Sequence, residues 1–164
     1  MIVKDTMVVI HLAKITLLER SCEYFKPVVI PEGVHEEILE GKARGYEDVQ
    51  VIEALINAGK LGVRRVRSKT LLKRAEAFNV QRGEAEALAL YWQEHADYLA
   101  SDDDNVRKKS VLLNLRLIGT PALILKLYKA HRIDGDKLHD SLQVLRKIGW
   151  FSQAVIDRIL SEAT

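Results

Sequence analysis

The sequence predicts an α/β fold, a three-layer α/β/α sandwich around a central parallel sheet of about five strands. Three observations lead there. Short apolar runs alternate along the chain with longer stretches of helical period. Proline and glycine bracket several of the runs, as they do at strand ends. The helical stretches between runs are long enough for the crossover connections that parallel pairing requires.

The first run is Ile2 to Lys4. The second, Val28 to Ile30, is flanked by Pro27 and Pro31. The third, Val63 to Val66, follows a turn at Gly62, the fourth is Tyr98 to Ser101, and the fifth is Leu115 to Ile118. Within Gly83 to Glu94, Ala85, Leu88, Ala89 and Trp92 recur at the spacing of an amphipathic helix. Gly119 opens a further helix, with Pro121 in its first turn, where a missing N–H is tolerated. Leu138, Leu142 and Leu145 mark a helix over Asp136 to Lys147. Ser152 is expected to cap a last helix burying Val155, Ile156, Ile159 and Leu160. No strand separates the last two helices, and no repeat or linker divides the chain. Residues 1–164 therefore read as a single domain, with 132–164 as a helical C-terminal extension.

Composition narrows the class. With 164 residues, 48% hydrophobic and 29% charged, the chain is globular rather than disordered. At this length folding buries roughly 70% of the unfolded surface. The single cysteine, Cys22, cannot form an internal disulfide and reads as a small core residue. Apolar stretches such as Met7 to Ile10 fall far short of the about 20 residues that span a bilayer. Lys4 and Asp5 come too early for a signal peptide, so the expected compartment is a reducing cytoplasm without membrane attachment. The net charge of +2 hides an uneven distribution. Residues 60–74 carry Lys60, Arg64, Arg65, Arg67, Lys69, Lys73 and Arg74 and no acid. Residues 32–53 carry seven acids against Lys42 and Arg44.

Ligands of open parallel sheets gather at the carboxyl ends of the strands. Asp5 and Thr6 follow the first strand, and the helix after the second carries Glu36 and Glu37. Asp102, Asp103 and Asp104 follow the fourth, and the helix leading into it opens with Glu84 and Glu86. Any one of these acids is more often a cap than a catalyst. Together they repel, by roughly 4 kcal/mol per pair of unit charges about 4 Å apart at an effective dielectric of 20. Such a group requires protons or a cation, and oxygen donors suit Mg²⁺ or Mn²⁺. Glu84 and Glu86 lie roughly 200° apart around their helix, so only one is expected to reach such an ion. The five histidines show no zinc spacing, and no phosphate-cradling glycine loop is present.

These residues, in this order, resemble the PIN-domain family, in particular a prokaryotic subfamily of toxin-like ribonucleases of VapC type. Asp5-Thr6 with His11-Leu12-Ala13-Lys14-Ile15-Thr16-Leu17-Leu18 is similar to its opening segment. Val29-Ile30-Pro31 through Val34-x-Glu36-Glu37-Ile38 resembles its second acidic motif, and Gly83-Glu84-Ala85-Glu86-Ala87 its Gly-Glu-x-Glu-Ala helix. Asp102-Asp103 with Arg107, Ile118-Gly119-Thr120 and Trp150-Phe151-Ser152 complete the series. The resemblance implies Mg²⁺- or Mn²⁺-dependent cleavage of single-stranded RNA. It places the catalytic acids at Asp5, Glu37, Glu86 and Asp103. Metal ligands come from Asp5, Glu84, Glu86, Asp102 and Asp103, leaving open which member of each adjacent pair serves. Thr6 and Ser101 are expected to orient waters or carboxylates. The RNA backbone is expected along Arg64, Arg65, Arg67, Lys69, Arg82, Arg107 and Lys108. The resemblance also implies a small antitoxin partner and a homodimer.

Two other readings compete. A non-catalytic nucleic-acid-binding or protein-interaction module could keep this fold, though intact acids at every motif count against it. A phosphatase-like hydrolase would want a second aspartate two residues after Asp5, where Met7 stands.

Overall fold

The computed structural model describes residues 1–43, 47–149 and 151–164. Arg44 and Trp150, singled out above, lie outside the described residues, as does the side chain of Lys42. In chain order the elements are β1 (Ile2–Lys4), α1 (Thr6–Lys14), α2 (Leu18–Tyr24), β2 (Val28–Pro31), α3 (Glu32–Ala43) and α4 (Asp48–Asn57). There follow β3 (Gly62–Arg64), α5 (Lys69–Glu76), α6 (Arg82–Gln93), β4 (Tyr98–Ala100) and α7 (Asp104–Lys109). The chain finishes with β5 (Leu117–Ile118), α8 (Thr120–Lys129), α9 (Gly135–Ile148) and α10 (Gln153–Ala163).

The five strands form one parallel sheet in the order β3-β2-β1-β4-β5. Helices cover both faces, so the expected α/β/α architecture is present. Strand alternation divides the core in two. Ile2, Val28, Ile30, Ala100 and Ile118 face α1 to α4 and α8 to α10. Val3, Val29 and Leu99 face α5, α6 and α7. The last helices join the first of these cores through Leu138, Leu142, Leu145, Ile156 and Ile159. Alternation also turns Lys4 to the side of Ile2. There it is fully buried and donates to Ser21 Oγ. Cys22 is buried beside it in the same core.

Three strands are shorter than the sequence suggests, β4 by the single residue Ser101. β3 ends at Arg64 rather than Val66, because Gln93 captures the backbone beyond it. Gln93 Oε1 accepts from Arg67 N and Ser68 N, while its Nε2 donates to Arg65 O. β5 begins at Leu117 rather than Leu115, since Leu115 N is spent on Ser110 O in the preceding turn. Ser152 caps α10 as expected, accepting from Val155 N at 3.3 Å.

The strand order sets the location of the site. From β1 the chain winds one way to β2 and β3, then crosses to β4 and β5 on the other side. The switch point lies between β1 and β4, and a crevice opens at their carboxyl ends.

Candidate active site

Each acid at the switch point is placed by an elementary need of the backbone. The helix after β1 must satisfy its first N–H groups, and Asp5 does so, accepting from Val8 N at 3.0 Å. Asp103 caps α7 in the same way, accepting from Val106 N at 2.9 Å. The cap brings each carboxylate to the strand end whether or not it has a further role. Asp102 accepts from Thr120 N at 2.7 Å and from the Thr120 hydroxyl. His11 Nδ1 stands 2.9 Å from Oδ2, the oxygen that also accepts from the Thr120 hydroxyl. Glu84 Oε2 accepts from Gln81 N at 3.1 Å at the start of α6.

The acids lie close enough to feel one another. Asp5 is 3% exposed. Burial pushes its carboxyl up to about 7, against bonds from Ser101 and Val8 N that lower it, with Asp102 and Glu84 raising it further. Burial also raises Glu84, and Asp103 and Glu37 add to the rise. A cavity of about 70 Å³ opens between Asp5, Thr6, Met7, Glu37, Gln81 and Glu84.

Glu37 comes from α3. Its carboxylate accepts from the Thr6 hydroxyl and, at 3.0 Å, from Gly83 N near the start of α6. Glu86 does the converse. It accepts from Gly33 N at 3.2 Å near the start of α3 and pairs with Arg82 Nε at 3.3 Å. The two helices thus exchange carboxylates, each anion at the other's positive end. Glycine leaves room for the carboxylate at both crossings. A Cβ on Gly83 would stand 2.6 Å from Glu37 Oε1, and one on Gly33 would stand 1.8 Å from Glu86 Oε2.

The structure therefore brings together Asp5, Glu37, Glu84, Asp102 and Asp103, with Thr6 and Ser101 among them. It does not bring Glu86 into that group, because the opposite side of α6 carries it to Gly33. The basic residues divide as well. Arg82, Arg107 and Lys108 lie on the helices beside the acids. Arg64, Arg65 and Arg67 are tied to the far end of α6. Arg64 pairs with Glu94 at 3.1 Å, and Gln93 holds the backbone of the other two. That end is about 18 Å along the helix from its acidic start. Exposed Lys69 opens α5 beside the same anchor, and Lys60 pairs with Glu19 and Glu23. Sequence reasoning missed His11 and Thr120 as partners of Asp102. No local signal could have exposed His11, since that contact spans 91 positions.

Among the described residues no three carboxylate or histidine side chains form a ready metal cage. The donor chemistry nevertheless fits a hard divalent cation. All the candidates are carboxylates, and Asp5 and Glu84 hold protons more tightly than usual because they are buried, with other acids beside them. Each carboxylate also has more lone pairs than its protein donors use.

No curated protein and no solved structure matches the chain. A family model described as a PIN domain matches residues 1–164, its entire length. With an acidic crevice at the switch point of a five-stranded parallel sheet, the chain belongs to the PIN-domain family, a fold of nuclease type.

Proposed function

We propose that this chain is a metal-dependent endoribonuclease that hydrolyses phosphodiester bonds in single-stranded RNA. The observation that carries the reading is the crowding of Asp5, Glu84, Asp103, Asp102 and Glu37 at one crevice, with Asp5 buried and raised to about 7. Such carboxylates are stable together only with protons or a cation, and a substrate phosphate completes the coordination that Mg²⁺ keeps open. Asp5, Glu84 and Asp103 would hold Mg²⁺ or Mn²⁺, with Asp102 adjoining. The ion supplies charge to the scissile phosphate and acidifies a bound water.

The chain's own groups do the rest. Glu37 borders the cavity and orients or deprotonates the attacking water. The Thr6 hydroxyl and Gly83 N aim its carboxylate. Ser101 steadies Asp5, while His11 and Thr120 fix Asp102 in one orientation. Arg82 and Arg107 flank the crevice and attract the RNA backbone. Residues 1–164 act as one unit, with 132–164 as its helical extension. The compartment is the cytoplasm. A small antitoxin covering the acidic edge and a homodimer are the partners this reading expects.

The experiment is cleavage of single-stranded RNA with and without Mn²⁺ by the parent chain, Asp5→Asn and Asp103→Asn. The expected result is Mn²⁺-dependent cutting by the parent alone. Equal, EDTA-resistant activity in all three proteins would sink the proposal. Salt-sensitive RNA binding with no turnover under any metal would favour the non-catalytic module instead.

A further inference from the structure

A second hollow opens beside the acidic crevice. Its volume is about 280 Å³, and it lies among the carboxyl ends of β4 and β5, the helix α7, the start of α8, and α10. Ser101 and Asp102 line it, and both also neighbour Asp5. The character of its rim differs from that of the crevice. Arg107 reaches it from α7 and Arg158 from α10, with side chains 58% and 70% exposed. Their acidic neighbours Asp104 and Glu162 are also exposed, so these pairs are weak and yield to a stronger anion.

A further feature points to a nucleotide. The ring of Phe151 lines the hollow, and His11 packs edge-on against it at 5.6 Å between ring centres. His11 is itself held by Asp102, so the ring is braced before any ligand arrives. The start of α8 bounds the same end of the hollow, where the Asp102 carboxylate already accepts from Thr120 N. The volume approaches the roughly 300 Å³ at which small-ligand pockets begin.

We propose that this hollow holds the nucleotide next to the scissile phosphate, with Phe151 stacking its base and Arg107 and Arg158 holding its phosphate. The proposal rests on the nuclease reading and adds the strand's path to it. An RNA strand cannot settle on carboxylates alone, because its phosphates carry the same sign. It requires cations and a stacking face within one nucleotide's reach of the acids. Arg107, Arg158 and Phe151 supply both, on elements that adjoin Asp102. Stacking tolerates any base, so this site adds affinity rather than sequence preference.

The test is binding of a fluorescent single-stranded oligoribonucleotide to the full chain in EDTA. An abasic strand of equal length serves as the second probe. Phe151→Ala should weaken the normal strand about tenfold and leave the abasic strand unchanged. Arg158→Glu, at an exposed position that folding tolerates, should weaken both strands and flatten the salt dependence by about one phosphate's share. Unchanged affinity in Arg158→Glu at unchanged melting temperature would overturn the proposal, whatever Phe151→Ala does. Dimerisation sensitive to Arg158→Glu with unchanged RNA affinity would overturn it too, because the hollow would then serve a second copy of the chain. Binding in EDTA needs no turnover. Strand binding without any metal-dependent cutting would therefore defeat the nuclease reading and leave this site in place.

Discussion

Two sets of carboxylates meet on α6, and they are in opposite states. Glu86, with Glu37 of α3, belongs to a clasp in which carboxylates meet donors, namely Gly33 N, Gly83 N, the Thr6 hydroxyl and Arg82. Glu84, two residues away, belongs to a crevice in which each acid takes a backbone donor yet is also buried beside other acids. In the clasp donors answer the charge, with Glu86 Oε2 held by the Arg82 ion pair alone. The crevice carries charge that the protein itself does not neutralise, and burial makes that charge more costly. Glu37 belongs to both, so the clasp aims one acid of the crevice. The comparison teaches that the partner of an acid, not its position in a motif, decides what the acid can do.

The largest expected effect separates Glu84 from Glu86. Glu84→Gln and Asp5→Asn should each lower metal-dependent RNA cleavage by roughly 10³-fold. Glu86→Gln keeps an acceptor for Gly33 N and should stay within about threefold of the parent chain. Initial rates at saturating Mn²⁺ measure this, and equal losses for Glu84→Gln and Glu86→Gln would merge the two sets.

Next comes stability without metal. The unfolded chain releases the Asp5 proton near 3.8, and the folded chain near 7. The unfolded state is therefore favoured increasingly as pH rises from about 4 to 7, by up to about 4 kcal/mol, and the cost persists above 7. Lys4 runs the other way, because burial lowers its ammonium from 10.5 to about 8. Its cost is full below 8 and fades as pH rises toward 10.5. For these two groups the metal-free chain should be least stable near pH 7 to 8. Asp5→Asn retains a capping side chain and should raise the melting temperature at pH 7.5 in EDTA, with the gain gone below pH 4. A constant gain across that range would remove the buried carboxyl as its cause.

A smaller effect tests the shared residue. Gly83→Ala should displace the Glu37 carboxylate and lower activity about tenfold. Its stability should change by less than about 1 kcal/mol, since added helix propensity offsets the lost bond. Gly33→Ala displaces Glu86 instead and should leave turnover nearly intact. Paired melting curves and rates measure both. The smallest effect belongs to the basic segment at the β3 edge. Arg64→Ala should change RNA affinity by less than about twofold, because Arg64 is engaged with Glu94 and stands two strands away from β1.

Much of this was legible in the chain. The five strands, the final caps and the four acidic segments follow from alternation, helical period and turn residues, all of which are local. The choice between Glu84 and Glu86 was not legible. Spacing says that they diverge by roughly 200° but not which side of α6 faces β1. That depends on Gly33, 53 positions away from Glu86. The place of the basic segment was not legible either. Its charges are contiguous in sequence, and Gln93 and Glu94 fasten them to the C-terminal end of α6, at the β3 edge of the sheet.

The most direct test of the central claim is calorimetric titration of Mn²⁺ into the chain at pH 7.5, alongside Asp5→Asn and Glu86→Gln. Saturable binding by the parent and by Glu86→Gln, abolished in Asp5→Asn, is the predicted result. No binding by the parent, or equal binding by Asp5→Asn, would contradict the claim that the acidic crevice is a cation site.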